Sequence, residues 1–183
     1  MPNEVTPEIA FKLVPYLLDL SNQGFDISLI LKTDDFMNKI LNYGIDNFSN
    51  ESTKQILLDL LERPQFAQHA TKLTTHRLHK LELSDQIVLF KSLPESLEEL
   101  HLFRVKIQDI PSISKFKHLD YLSLSQCKSI STLDGIENFE SLRWLKLCHC
   151  SGLTDISAAA DLPNLISIDL RGCENIEAIR PLK

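Results

Sequence analysis

Cys148-His149-Cys150 places two thiols around an imidazole, and chemistry is first sought there. Thiolate and imidazole are zinc ligands, and a thiol beside a histidine is a candidate nucleophile with its base. On an extended strand, however, neighbouring side chains point to opposite faces, so Cys148 and His149 diverge, and no third group orients the imidazole. His76 and His79 are three apart but have no third ligand near them in sequence. Asp134, Glu137 and Glu140, also three apart, read as a solvated face. No glycine-rich phosphate loop, HExxH or GxSxG sequence occurs in the chain. The sequence therefore predicts no enzyme, no cofactor and no bound metal.

The residues around that triplet belong to a repeat. Leu97-Glu-Glu-Leu-His-Leu102, Leu119-Asp-Tyr-Leu-Ser-Leu124, Leu142-Arg-Trp-Leu-Lys-Leu147 and Leu165-Ile-Ser-Ile-Asp-Leu170 align without gaps. Each has aliphatic residues at positions 1, 4 and 6, then Val105, Cys127, Cys150 or Cys173 at position 9. The starts at 97, 119, 142 and 165 are 22, 23 and 23 residues apart. Positions 4 and 6 are two apart, which is strand spacing, and a return segment must bring the chain back to start the next parallel strand. Apolar residues then recur every third position: Ile107, Ile110, Ile113 and Phe116; Ile130, Leu133, Ile136 and Phe139; Leu153, Ile156, Ala159 and Leu162; Ile176, Ile179 and Leu182. That spacing suits 3₁₀ turns. One such unit cannot bury its own apolar face, so the units must stack as a solenoid. Leu78-His-Lys-Leu-Glu-Leu83 reads as a fifth strand, which puts strand starts near 78, 97, 119, 142 and 165.

The pattern resembles the leucine-rich repeat family in its cysteine-bearing variant. The resemblance implies an α/β fold: a short curved parallel sheet over residues 77–183, preceded by an α-helical region over residues 1–76. It also implies that position 9 holds a small residue bonded to neighbouring backbone, so Cys127, Cys150 and Cys173 should be buried and reduced while Cys148, at position 7, is accessible. Family function would be non-catalytic binding of a protein on the concave face. Positions 3, 5, 7 and 8 point there and nominate Glu99, His101, Phe103, Arg104, Tyr121, Trp144, Lys146, His149, Asp169 and Arg171. Positions taken from the first copy add Lys80, Glu82, Ser84 and Asp85. Leu93-Pro94-Glu95-Ser96-Leu97 resembles the linker of bacterial effector repeats, which would place the protein in a host cytosol.

Composition agrees with an ordinary globular chain: 183 residues, 43% hydrophobic, 24% charged, formal charge −6. Residues 1–76 carry six Lys/Arg and ten Asp/Glu against thirteen and fifteen in the remainder, so neither part is a basic nucleic-acid module. No apolar run reaches the roughly 20 residues of a membrane span, and Met1-Pro-Asn-Glu-Val5 lacks the order of a secretory signal. Free thiols fit a cytoplasmic, reducing compartment.

In the front end, Thr6 caps a helix with Pro7 in its first turn. Ile9, Leu13, Leu17 and Leu20 mark its apolar face, and Pro15 should bend or split it. Gly24 and Asp26 mark a break and a new cap, with a further restart at Thr33. Ser52 and Gln55 suggest a capping box for a helix that stops near Pro64. The segment also resembles an F-box: Pro7, Glu8, Ile9, Leu13, Tyr16-Leu17, Asp26-Ile27 and Phe36 match its landmarks, with Thr6 in place of the leading Leu and Phe36 in place of Trp. That resemblance implies docking of a Skp-type adaptor through residues 6–41 and substrate selection by the repeats. At the other end the last repeat has no polar cap after Leu182, so self-association through Ile168, Ile176 and Ile179 is expected.

Overall fold

A computed structural model describes residues 5–32, 35–74, 78–107, 110 and 113–177, with the backbone alone for residues 79 and 83. The cap expected at Thr33, His76, the side chain of His79 and the core positions Ile179 and Leu182 lie outside the described residues.

The front end is helical: α1 Pro7–Lys12, α2 Val14–Asn22, α3 Ser28–Lys32, α4 Phe36–Asp46, α5 Glu51–Leu61 and α6 Pro64–Ala67. Thr6 Oγ1 accepts the Ile9 N–H at 3.3 Å and caps α1. Pro15 sits in the first turn of α2, where its missing N–H costs nothing, so the helix is split at Leu13 rather than bent. Gly24 takes the left-handed φ of 88° that ends α2, and Asp26 Oδ1 accepts the Ser28 N–H at 2.9 Å to start α3. The cap of α5 is not the Ser52/Gln55 box. Asn50 arrives two residues earlier and accepts the Thr53 N–H at 3.0 Å, while the Gln55 amide turns to Asp59.

The face that α1 and α2 bury also differs from the expected one. Ala10, Phe11, Val14 and Leu17 are inside, whereas Ile9, Leu13 and Leu20 are 50%, 41% and 36% exposed. Both faces carry apolar residues, and close approach decides between them. Phe11 packs 5.3 Å from the Tyr43 ring and against Gly44, where an added Cβ would lie 2.9 Å from Phe11 Cε2. Small Ala10 and missing atoms at Gly44 let α1 settle on α4 by that side.

Five parallel strands follow: β1 Lys72–Leu73, β2 Glu99–Phe103, β3 Tyr121–Ser125, β4 Trp144–Lys146 and β5 Ser167–Asp169, in the order β1-β2-β3-β4-β5. Leu78–Leu83 is not a strand. Leu78–Lys80 is a 3₁₀ turn and Leu83–Ser92 is α7, with Glu82 as its N-cap. The motif there satisfied a helix as well as a strand: Gln86, Leu89 and Leu93 are buried at helical spacing. The first strand is the two-residue β1, paired Lys72↔Glu99 and Leu73↔Leu100, so the sheet begins before residue 77. Lys80, Glu82, Ser84 and Asp85 consequently do not belong to the sheet's outer face.

Leu100, Leu102, Leu122, Leu124, Leu145 and Leu147 are at most 2% exposed. The return segments cover them with Ile107, Ile110, Ile113 and Phe116, then Ile130, Leu133, Ile136 and Phe139, then Leu153, Ile156, Ala159 and Leu162, all buried. Short 3₁₀ turns at Ile136–Asn138 and Ser157–Asp161 carry Ile136 and Ala159. Each such aliphatic side chain contributes about 1.5–3 kcal/mol when fully buried. One apolar cluster runs from Ala10 to Leu162 and joins helices to sheet. At the last strand, Ile166 just before β5 is 64% exposed, and Ile168 within it and Ile176 after it are half-buried.

The join itself is polar. Asn38 on α4, 6% exposed, accepts the Thr71 and Lys72 N–H groups at 2.9 Å each and directs its amide to Asp35. One turn on, Asn42 Oδ1 accepts the Thr74 N–H at 2.8 Å and its amide donates to Asn38 O at 2.7 Å. These two side chains take up backbone donors on the edge of β1 that no further strand among the described residues satisfies. Asn38→Ala leaves two N–H groups unpaired and should lower stability by about 2–3 kcal/mol in urea unfolding. A change below about 0.5 kcal/mol would show that apolar packing alone joins the two layers.

Candidate functional site

Register sorts the outward side chains into rows. Glu99, Tyr121, Trp144 and Ser167 are successive partners across β2–β5, with Lys72 beyond Glu99. His101, Ser123, Lys146 and Asp169 form the next row, and Phe103 pairs with Ser125. Trp144 is 42% exposed. The His101 and Tyr121 rings stack diagonally, with centroids 4.7 Å apart and planes at 15°. Lys72 Nζ lies 2.7 Å from Glu99 Oε2 and already neutralises it, and His101 Nε2 lies 3.6 Å from the same oxygen.

The turns after β2, β3, β4 and β5 share one conformation. Arg104, Gln126 and His149 have φ of 58°, 56° and 57°, and Gly172 has 71°. A non-glycine residue in the left-handed region costs about 1–3 kcal/mol. The geometry is held because it satisfies one further bond of the ladder: Arg104 N to Ser125 O at 2.9 Å, Gln126 N to Cys148 O and His149 N to Arg171 O at 2.8 Å. It also turns position 9 back into the core. The sequence signals this only at Gly172, whose absent Cβ makes room for the His149 ring; an added Cβ would sit 2.1 Å from Nδ1. Arg104 Nε donates to Gln126 Oε1 at 2.9 Å, and its guanidinium lies 5.4 Å from the Phe103 ring centroid.

The position-9 thiols donate to the preceding strand. Cys127 Sγ is 3.7 Å from Leu102 O, Cys150 Sγ is 2.7 Å from Leu124 O, and Cys173 Sγ is 2.7 Å from Leu147 O. Burial pushes the Cys127 thiol up to about 11 and the Cys150 thiol up to about 12. Neither is a nucleophile at neutral pH. Cys173 is only half-buried. Cys148 is not accessible as its position implied: it is 8% exposed. The neighbouring β5 supplies the cover, because the Asp169 carboxylate meets the thiol and Arg171 closes over that carboxylate at 2.7 Å. Burial first, then Asp169, raises the Cys148 pKa, the wrong direction for a reactive thiol. Arg171 holds the Asp169 carboxyl far below the ordinary range. Among the described residues no three His, Cys, Asp or Glu side chains converge as a metal site.

A cleft of about 360 Å³ opens where the strands end, between Phe103, Ser123, Ser125, Lys146, His149 and Arg171. Of the nominated binding residues, His101 also lines it. Glu99, Tyr121 and Trp144 form the row beside it, and Arg104 lies at its Gln126 edge. The adaptor landmarks divide differently. Pro7, Glu8, Ile9, Leu13 and Tyr16 are exposed, Tyr16 by 70%, whereas Leu17 and Phe36 are only 6% and 5% exposed and cannot meet a partner in this conformation. Phe25, Leu29 and Ile30 are also exposed, by 60%, 76% and 42%; helical spacing places Ile30 on a buried face with Ile27 and Leu31, and only those two are inside. No helix among the described residues is long and apolar enough to cross a membrane.

Parallel strands in sequential order, a buried leucine ladder and thiols bonded between units make this chain similar to leucine-rich repeat proteins. Residues 95–138 match the family model described as Leucine Rich repeats (2 copies), which supports that reading of the chain. No curated protein and no solved structure matches it. Leucine-rich repeats are in general non-catalytic modules of protein–protein interaction.

Brief alkylation of the native protein at pH 8, read by mass spectrometry, should label Cys173 before Cys148, with Cys127 and Cys150 last. Labelling of Cys148 first would mean that the Asp169–Arg171 cover opens readily in solution.

Proposed function

We propose that the chain is a leucine-rich-repeat solenoid whose outer sheet face binds a protein partner, with the helices α1–α6 ahead of β1 as its cap. The observation that carries this reading is Trp144. It is the chain's single tryptophan, it stands 42% exposed in register with Tyr121, and the core does not need it. Tryptophan, tyrosine and arginine dominate interface energies, at about 2 kcal/mol or more for a central residue. Around the pair stand His101, Phe103, Arg104, Lys146, His149, Asp169 and Arg171, with Glu99 held by Lys72. Free thiols suit a reducing cytoplasm; a host cytosol, for a secreted effector, rests on the Leu93–Leu97 linker alone.

Partner capture compared between wild type and Trp144→Ala tests this reading. We expect a loss of about 30-fold, corresponding to about 2 kcal/mol, with Tm unchanged within about 2 °C. Loss of stability with capture intact would assign Trp144 to the fold instead.

A second reading is an F-box-type substrate adaptor of a cullin–RING ubiquitin ligase. Exposure of Ile9 on α1, Leu13 at the split and Tyr16 on α2 supports it; buried Leu17 and Phe36 do not contribute. Mixed with a purified Skp-type adaptor, the wild-type chain should form a complex by size exclusion that Leu13→Asp abolishes. Absence of a complex with the wild type rejects this role.

A further inference from the structure

We propose that the cleft at the strand ends is a carboxylate pocket, in which Lys146 is the counter-ion for an Asp or Glu side chain of an acidic peptide segment in the partner. The proposal rests on the reading of the outer face as a protein-binding surface and adds the chemistry of what binds.

Charge is distributed unevenly for a chain of formal charge −6. Arg104, Lys146 and Arg171 gather at this end of the sheet, with His101 and His149 beside them, and the carboxylates of their rows are Glu99 and Asp169. Both are committed: Glu99 to Lys72 at 2.7 Å and Asp169 to Arg171 at 2.7 Å. Lys146, although it is the register partner of Asp169, takes part in no ion pair among the described residues. A half-buried lysine lining a cleft, with no anion paired to it among the described residues, favours a ligand that brings one.

The cleft floor adds a donor. Ser123, 5% exposed, has its hydroxyl 3.2 Å from that of Ser125. Such a pair spends one hydroxyl proton internally and leaves the other for a ligand oxygen. The donor set also selects between anions. A phosphate is commonly gripped by an arginine fork. Here the Arg171 fork is closed on Asp169, and Arg104 Nε is used on Gln126 with its guanidinium over Phe103. One ammonium and one hydroxyl match a singly charged carboxylate. Trp144 lies two residues from Lys146 on β4, about 7 Å along the strand, so one extended segment can place an apolar side chain on Trp144 and a carboxylate at Lys146.

The full chain is panned against a display library of random 12-residue peptides, and those whose binding is lost in Trp144→Ala are retained. We expect them to be enriched in Asp and Glu. Changing the critical acid to its amide should weaken binding about fivefold to tenfold, and Lys146→Gln should weaken the acidic peptide alike while leaving its amide version unaffected. Lys146→Glu should reverse the preference toward peptides with Lys at that place, with unchanged thermal unfolding as the control for folding. Retained peptides without acidic enrichment, or equal binding to Lys146→Gln, overturn the pocket and leave the binding face standing. A phosphoserine peptide bound more than about tenfold tighter than its Asp form overturns the choice of carboxylate. Recovery of no Trp144-dependent peptide overturns both.

Discussion

The fold depends on one constraint: parallel strands held in register by a backbone ladder that runs past the strands at both ends. Before β3, β4 and β5 the N–H groups of Asp120, Arg143 and Ile166 donate to Glu98, Asp120 and Arg143 at 2.8–2.9 Å. After β2, β3 and β4 the left-handed residues add their bonds. Because every unit is fixed to its neighbour residue by residue, each repeat position becomes a column. Leucines fall on leucines, thiols on carbonyls of the preceding unit, and the remaining columns are left for solvent or a partner. A slip of one residue would move every leucine to the wrong face.

What the sequence revealed follows from that constraint. From Leu97 onward the repeat was legible because each column is reinforced several times, and even the 3₁₀ return segments could be placed from their three-residue spacing. Reading failed where reinforcement stops. β1 is two residues long, and its unit spans 27 residues between Lys72 and Glu99, because α7 replaces a short turn. The imitation motif at Leu78–Leu83 was therefore the more visible choice. Leu78 still fulfils a repeat role: it is fully buried, eight residues after buried Ala70, where Val105 follows Leu97.

The other failures arise from contacts between units or layers, which no single segment displays. Cys148 lies on the outer side as its position requires, and the salt bridge of the following strand buries it. Ile9, Leu13 and Leu20 share helical spacing with a second apolar line, and only Gly44 and Phe11 decide which line faces α4. The left-handed residues at Arg104, Gln126 and His149 carry no common side-chain signal, since their conformation is paid for by a ladder bond. Of the candidate site, then, the row of Tyr121 and Trp144 was legible, while the cleft and the pairing of its charges were not.

Register partners lie 22 to 27 residues apart: Lys72 with Glu99, Glu99 with Tyr121, Tyr121 with Trp144 and Trp144 with Ser167. Among the described residues β5 has a neighbour on one side only. A force drawn on the C-terminus therefore reaches these bonds one unit at a time, as in a zip fastener, and not all together. Each released unit of 23 residues adds about 80 Å of slack chain, and the helical layer, tied to β1 by Asn38 and Asn42, gives way last. Mechanical strength in this molecule is graded along its axis, lowest at β5 and highest where the two asparagines fasten the first strand.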